Sequence, residues 1–289
     1  MAFEVLSSGL LSTIQDEGRQ GLMHRGITPS GAMDKHAYRW ALRLLGEEAG
    51  NAIEAMVGLK LKVLAYTTVA IAGADLDAQL DGKSVGNWCS FSVKKGQVLY
   101  FAKRRDGVRA YVAVKGGFML EAMDGSVAST PREKRGYMLK KRDILSFVPT
   151  FSHTFSRLKA EHIPCYSAEV TTLRLLPSYQ YHDFSTQAKE TFFNSVYEVS
   201  IQSSAMGYRL SGDVVEGTGR EILSEAIAYG AVQIPADGQP IVLLSQRQTI
   251  GGYPKIGVVV EEDCYRLAQL PPGAKVRFVP GSFEACTPS

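Results

Sequence analysis

Short runs of β-branched and aromatic residues, each closed by glycine or an Asp-Gly pair, recur along the whole chain, and this punctuation points to a mostly β fold. Asp81-Gly82, Asp106-Gly107 and Asp237-Gly238 supply the positive φ that tight hairpins need. From Leu59 to Ile71 alternate positions are apolar, the pattern of a strand with one buried face, and Ile241 to Leu244 is a short apolar strand. Helices are expected to be few. One runs from an Asp34 N-cap to Gly46, with Ala37, Ala41, Leu44 and Leu45 at helical spacing; another lies near Glu262 to Leu270, closed by Pro271 and Pro272.

At 289 residues the chain has room for about two domains and a sizeable core. Charged residues make up 21%, and 32 basic against 29 acidic side chains leave a net charge of only +3, which disfavours nucleic acid or an anionic membrane as partner. The first twenty residues lack a signal peptide's basic start and apolar run, and no later window has the roughly 18 apolar residues of a membrane span, so a cytoplasmic location is expected. Cys89, Cys165, Cys264 and Cys286 are far apart with no CxxC pair, which reads as reduced, structural thiols rather than a zinc or redox site.

Short patterns recur in the same order in the two halves. SGAM ending at Met33 matches SSAM ending at Met206, and RLLG matches RLSG. IEAMVG matches SEAIAYG, the Asp-Gly at Gly107 matches that at Gly238, GGF matches GGY, and LKKRDILSF from Leu139 matches LPPGAKVRF from Leu270. The offset drops once, which suggests an internal duplication into two β units, residues 1–160 and 161–289, the first with an insertion near 59–106.

Two segments concentrate polar side chains among glycines. The run from Ile14 to Asp34 holds Gln15, Asp16, Arg19, His24, Arg25, Ser30 and Asp34, where backbone N–H groups and a forked guanidinium suit an anionic ligand. The run from Ala231 to Gly257 holds Gln233, Arg247, Gln248, Tyr253 and Lys255 after an apolar strand. Arg247 and Lys255 can neutralise developing negative charge, Tyr253 can donate a hydrogen bond, and the glutamines can orient an amide or carboxylate. A smaller cluster offers Ser204, Tyr208 and Arg209, the arginine equally suited to an internal pair with Glu225. The bland alternatives are a turn-rich linker with an Asp16–Arg19 pair, a core tyrosine at 253 and a backbone-satisfying glutamine at 248. No P-loop, GxSxG or HExxH motif occurs, and the histidines are scattered, so no metal site is expected.

These motifs resemble the carboxyltransferase-domain family that includes the C subunit of 5-oxoprolinase, the antagonist of the Kip histidine-kinase inhibitor, allophanate hydrolase subunit 2 and the carboxyltransferase part of urea carboxylase. The resemblance rests on TIQDEGRQG from Thr13, PSGAMD from Pro29, AYVAVKGGF from Ala110, MGYRLSG from Met206, and IPADGQPIVLL followed by RQTIGGYPKIG. It implies two cyclophilin-like β-barrel units and a C-type subunit of an ATP-dependent 5-oxoprolinase. Such a protein opens the lactam of 5-oxoproline to glutamate together with an A-type partner and a Kip-inhibitor-like B-type partner. On that reading Asp16, Arg19, Tyr253 and Lys255 are the catalytic candidates, with Gln15, Ser30, Asp34, Arg209, Gln233, Arg247 and Gln248 binding substrate. No cofactor is expected on this chain alone: ATP belongs to the complex. The alternatives are a regulatory partner of the B-type protein, or a carboxyltransferase subunit of a urea carboxylase or allophanate hydrolase system with biotin carried by another protein.

Three positions depart from the family pattern. Gln246 stands where relatives commonly have aspartate and cannot serve as a base; Ser204-Ala205 replaces Asn-Arg before Met206; and Gly125-Ser126-Val127-Ala128-Ser129-Thr130 stands for Gly-Ser-Arg-Ser-Thr. If the missing arginines bind substrate, activity is altered and the regulatory reading gains weight.

Overall fold

A computed structural model describes residues 2–150, 155–219 and 222–282, and among these the chain divides into two compact units. The first comprises residues 1–19 and 30–167, and the second takes residues 20–29 together with 168–289. Both are mostly β, and three α-helices occur among the described residues: α1 (Lys35–Arg43), α2 (Thr186–Asn194) and α3 (Glu261–Leu267).

In the first unit two antiparallel sheets enclose one core. The six-stranded sheet runs in the order Ile144–Ser146, Ala2–Ser8, Leu59–Val63, Val98–Phe101, Ala78–Leu80, Lys83–Ser84; the five-stranded sheet runs Thr13–Gln15, Ala52–Ala55, Asp106–Val114, Thr67–Asp75, Cys89–Val93. Phe3, Val5, Leu61, Val63, Val69, Ile71, Phe101 and Val112 fill the space between them. The alternation read over Leu59 to Ile71 spans two strands rather than one. In Leu59–Val63 the leucines and valine are buried and Lys60 and Lys62 exposed, but Thr67–Asp75 is buried along almost its whole length. Helix α1 covers the second face of that strand, where Ala70, Ala72 and Ala113 are small enough to admit Ala37, Tyr38 and Ala41. The side chain of Asp34 caps α1 by accepting from Ala37 N at 3.0 Å, as its sequence position suggested.

The second unit closes into a barrel of seven strands: Val170–Pro177, Lys255–Val259, Ala231–Gln233, Ile241–Leu243, Gly207–Ser211, Tyr197–Val199 and Lys275–Pro280, which returns to the first in parallel. A two-stranded ribbon pairs Glu225–Ala226 with Ile250–Gly251. Helix α2 seats Phe192 against Phe278, rings stacked with centroids 4.3 Å apart. Helix α3 is held by Asp263, which accepts from Arg174 Nε at 2.8 Å and Nη2 at 3.0 Å. Its residues fall close to the predicted span, whereas nothing in the sequence reading anticipates α2.

Of the three Asp-Gly pairs, Asp81-Gly82 forms a two-residue hairpin with both residues at positive φ, and Asp237-Gly238 lies in the longer turn between two barrel strands. Asp106-Gly107 instead begins a strand, where the register shifts before Ala110. The repeated motifs do not all adopt like structure: SGAM leads into helix α1, but SSAM leads into the strand Gly207–Ser211. Cys89 and Cys264 are buried and Cys165 exposed, all three free, while Cys286 lies outside the described residues. No helix among the described residues is long and apolar enough to cross a membrane.

Candidate active site

The polar loop of the first unit folds back on the segment from Ser126 to Thr130. Asp16 Oδ1 accepts from Gly18 N at 2.8 Å and Ser126 Oγ at 2.7 Å, and Oδ2 accepts from Val127 N at 2.8 Å. Arg19, only 2% exposed, donates from Nη2 to the Ala128 carbonyl at 2.8 Å and from Nη1 to Thr130 Oγ1 at 3.3 Å. Gln15 Nε2 reaches the Ser129 carbonyl at 3.3 Å, and Ser30 Oγ reaches the same oxygen at 2.9 Å. Gly31 makes the fold-back possible: at φ 92° a Cβ there would sit 2.8 Å from the Glu17 carbonyl oxygen.

The Asp16–Arg19 pair of the bland alternative does not form; each residue grips the far segment instead, and Glu17 takes Arg39 as an ion-pair partner. Burial pushes the Arg19 pKa down, with Asp16 opposing that effect. Asp34 is 1% exposed, and its Oδ2 accepts from Tyr166 at 3.2 Å, so its side chain serves the helix and the core. Beside it Glu54 Oε2 accepts from Tyr111 at 2.7 Å and from Met33 N at 3.0 Å, while Tyr111 Oη accepts from Asp34 N at 2.9 Å. This buried network fixes the strand-to-helix turn.

The second unit gathers a different constellation. Lys255, 6% exposed, forms an ion pair with Glu225, and its Nζ lies 3.4 Å from the Tyr253 carbonyl. Tyr179 donates its hydroxyl to the other oxygen of Glu225, and Gln180 donates to Glu225 Oε1 at 3.0 Å while accepting from Lys255 N at 2.7 Å. The bonds from Lys255 and Tyr179 hold the Glu225 carboxyl below the usual carboxylate range; the Glu225 contact in turn raises the Tyr179 pKa. A buried ammonium, a carboxylate and an exposed phenol thus share one network.

Gln233 lies across the barrel register from Lys255 and is 1% exposed, yet its Nε2 has no hydrogen-bond partner. Leaving such a donor unmatched costs about 1–3 kcal/mol. Next to it runs the Ile250–Gly251 ribbon: a Cβ built on Gly251 would lie 3.0 Å from Gln233 Nε2 and 3.5 Å from Gln248 Nε2. A cavity of about 780 Å³, a size suited to a small molecule, has Ile234, Pro235, Gly252, Tyr253 and Glu216 in its lining. Tyr253 is half exposed there.

The remaining candidates sit apart from this network. Arg247 is buried, donating from Nε to the Ile227 carbonyl at 2.9 Å and standing 5.7 Å from the centre of the Tyr229 ring; burial pushes its pKa down. Arg209 is exposed on its strand, and Glu225, its suggested partner, is held by Lys255. The sequence reading does not single out Glu225, Tyr179 and Gln180 as site residues. Glu225 stands inside a repeat match, and nothing in the spacing of Tyr179 and Gln180, some 45 residues upstream, joins them to it. Among the described residues no three His, Cys, Asp or Glu side chains cluster as metal ligands would.

The seven-stranded barrel thus carries a linked amide, ammonium and carboxylate cluster at Gln180, Lys255 and Glu225. Residues 25–280 match the model of the carboxyltransferase domain, subdomain A and B, and the chain belongs to that family. It is 35% identical over 288 residues to the C subunit of 5-oxoprolinase from Escherichia coli K12, covering 97% of this chain and 92% of that protein. The Haemophilus influenzae C subunit of 5-oxoprolinase is 34% identical, with 95% and 90% covered. Among solved structures, Kluyveromyces lactis urea carboxylase superposes with a TM-score of 0.89 at 26% identity, covering 99% of this chain but 28% of that one. The structure of TTHA0988 gives 0.87 at 31%, with 96% and 55% covered. The chain thus spans only part of those solved proteins but nearly all of the bacterial subunits.

Proposed function

We propose that this chain is the C-type subunit of an ATP-dependent 5-oxoprolinase, acting with A-type and B-type partners to open the lactam of 5-oxoproline to glutamate. The observation that carries this reading is the match to the C subunits of two bacterial 5-oxoprolinases over nine-tenths or more of both chains. A lactam is a poor electrophile, and its opening develops negative charge on the carbonyl oxygen. The Lys255 ammonium, steadied by Glu225, and the amides of Gln233 and Gln248 are the groups of this chain suited to that oxygen and to the ring amide. Tyr253 stands at the cavity as a hydroxyl donor, and Tyr179 offers a second, exposed phenol. Asp16, Arg19, Gln15 and Ser30 are engaged with the Ser126–Thr130 segment of their own unit and are not counted among these groups. Nucleotide handling falls to the partners, since the sequence has no P-loop.

The likeness to K. lactis urea carboxylase supports a second reading, carboxyl transfer to an amide from biotin held on another protein. The regulatory reading, engagement of the B-type partner without catalysis, draws on the sequence departures at Gln246, Ala205 and Val127. Reconstitution decides among them. The complex with the cognate A-type and B-type proteins is expected to release glutamate from 5-oxoproline only when ATP and this chain are both present. Turnover that needs biotin instead favours the second reading; complex formation with glutamate release independent of this chain favours the third.

A further inference from the structure

We infer that the first unit holds a ligand site of its own, a cavity of about 470 Å³ at its sheet edges in which the Arg157 guanidinium binds the carboxylate of a small molecule with an apolar body. None of its residues belongs to the groups assigned above to lactam opening, so the site stands independently of the 5-oxoprolinase reading.

The six-stranded sheet ends on Lys83–Ser84 and the five-stranded sheet on Cys89–Val93, so the short connection between those strands joins two sheet edges. A third piece of chain lies along the second edge. Ser90 N donates to the Ser156 carbonyl and Ser156 N to Ser90 Oγ, each at 2.8 Å, and Leu158 N donates to the Trp88 carbonyl at 2.9 Å. These bonds fix the backbone on both sides of Arg157. Leu80, Val85 and Phe91, which also pack against the core, give the cavity its apolar wall, and Phe155 and Ser156 border it from the outer segment. A volume of this size falls in the range of small-molecule pockets.

The polar groups select the class of ligand. Among the described residues Arg157 is the only charged side chain in the lining, and it forms no ion pair with any of them. It lies beside the Cys89 thiol: a Cβ on Gly86 would sit 2.7 Å from Cys89 Sγ and 2.8 Å from Arg157 Nη2, and Gly86, not among the positive-φ residues, serves this close approach. Burial pushes the Cys89 thiol up, against the charge and hydrogen bond of Arg157. The thiol is therefore protonated at neutral pH and leaves the guanidinium charge uncompensated. A guanidinium carries five N–H donors, so enough remain beyond the sulfur for a carboxylate to be held bidentately. One cation against apolar walls suits a single negative charge on a hydrocarbon body; a dianion such as phosphate would find no second cation in the lining.

The test is a calorimetric titration of the full chain with benzoate and with benzamide, its neutral analogue, repeated on the ¹⁵N-labelled chain at mildly acidic pH to follow the Arg157 Nε–H signal, which is assigned by its loss in Arg157→Gln. Benzoate is expected to bind saturably and to shift that signal. Benzamide should bind about tenfold more weakly or worse, and Arg157→Gln should weaken benzoate by a similar factor, the loss of a hydrogen bond to a charged group. Exposed Arg104→Gln, in the same unit, leaves the affinity unchanged. Ser156→Phe keeps the charge and the backbone bonds but fills the cavity from its outer side, and should remove benzoate binding without lowering the melting temperature; it keeps the test open should Arg157→Gln fold poorly. No saturable binding at millimolar benzoate, benzamide binding as tightly as benzoate, an unmoved Arg157 signal, or full affinity in either folded variant overturns the site.

Discussion

The guanidinium of Arg19 lies 2.8 Å from the carbonyl oxygen of Ala128, a residue 109 positions further along the chain. With the three hydrogen bonds that Asp16 accepts, this contact makes the N-terminal glycine loop and the Ser126–Thr130 segment one structural piece. The residue types that suggested an anion site are thus engaged with backbone and hydroxyl groups of the protein itself. Arg19→Ala leaves the Ala128 carbonyl unmatched and opens a void, and should destabilise the first unit by about 2–4 kcal/mol in urea unfolding. Arg19→Lys should recover little of that, because an ammonium cannot reproduce the fork.

Asp16→Asn replaces one acceptor oxygen with a donor that faces Gly18 N and Ser126 Oγ, or Val127 N. A loss of about 1–3 kcal/mol is expected, again by denaturant titration. Ser126→Ala in the Asp16→Asn background should add less than it does in the native chain, since the two share a bond.

The Glu225 carboxyl titrates below the ordinary value of 4.5 because Lys255 and Tyr179 bond its charged form. Its contribution to stability is therefore present above about pH 4.5 and is lost as pH falls through the lower folded-state value. Glu225 is a third exposed, so screening limits the effect to about 1 kcal/mol or less. Glu225→Gln should lower the melting temperature at pH 7, and the difference from the native chain should close in acid and narrow in high salt.

Tyr197 stands on the opposite limb. Burial raises its pKa from 10.0 to about 12, and the hydroxyl donates to the Phe192 carbonyl at 3.4 Å. Its contribution is complete below pH 10 and declines as pH rises toward 12, where the unfolded chain has already released its proton. Tyr197→Phe should flatten that alkaline decline, measured by denaturant unfolding at stepped pH.

Local signals make much of the fold legible. Asp34 and the spacing of Ala37 and Ala41 mark α1, and alternation marks Leu59–Val63. Helix α2 gives a weak signal because its apolar face is little more than Ala188 and Phe192, although Ser185 is a readable cap. Thr67–Asp75 defeats alternation because a helix and a sheet cover its two faces, a fact set by distant residues. The same limit governs the site. Gln233, Gln248, Tyr253 and Lys255 stand together in sequence, but the Glu225, Tyr179 and Gln180 that surround Lys255 come from other elements. Whether Arg19 faces ligand or backbone is decided by Ala128 and Thr130, more than a hundred residues further along the chain.

On the proposed reading the reacting groups belong to the barrel unit, while the N-terminal loop is bonded to the Ser126–Thr130 segment of the first unit. The most direct measurement is the rate of ATP-dependent glutamate formation by the reconstituted complex carrying Lys255→Met, with circular dichroism to verify the fold. A fall in kcat of about 100-fold or more with the barrel intact is expected; a full rate from a folded Lys255→Met chain would contradict it.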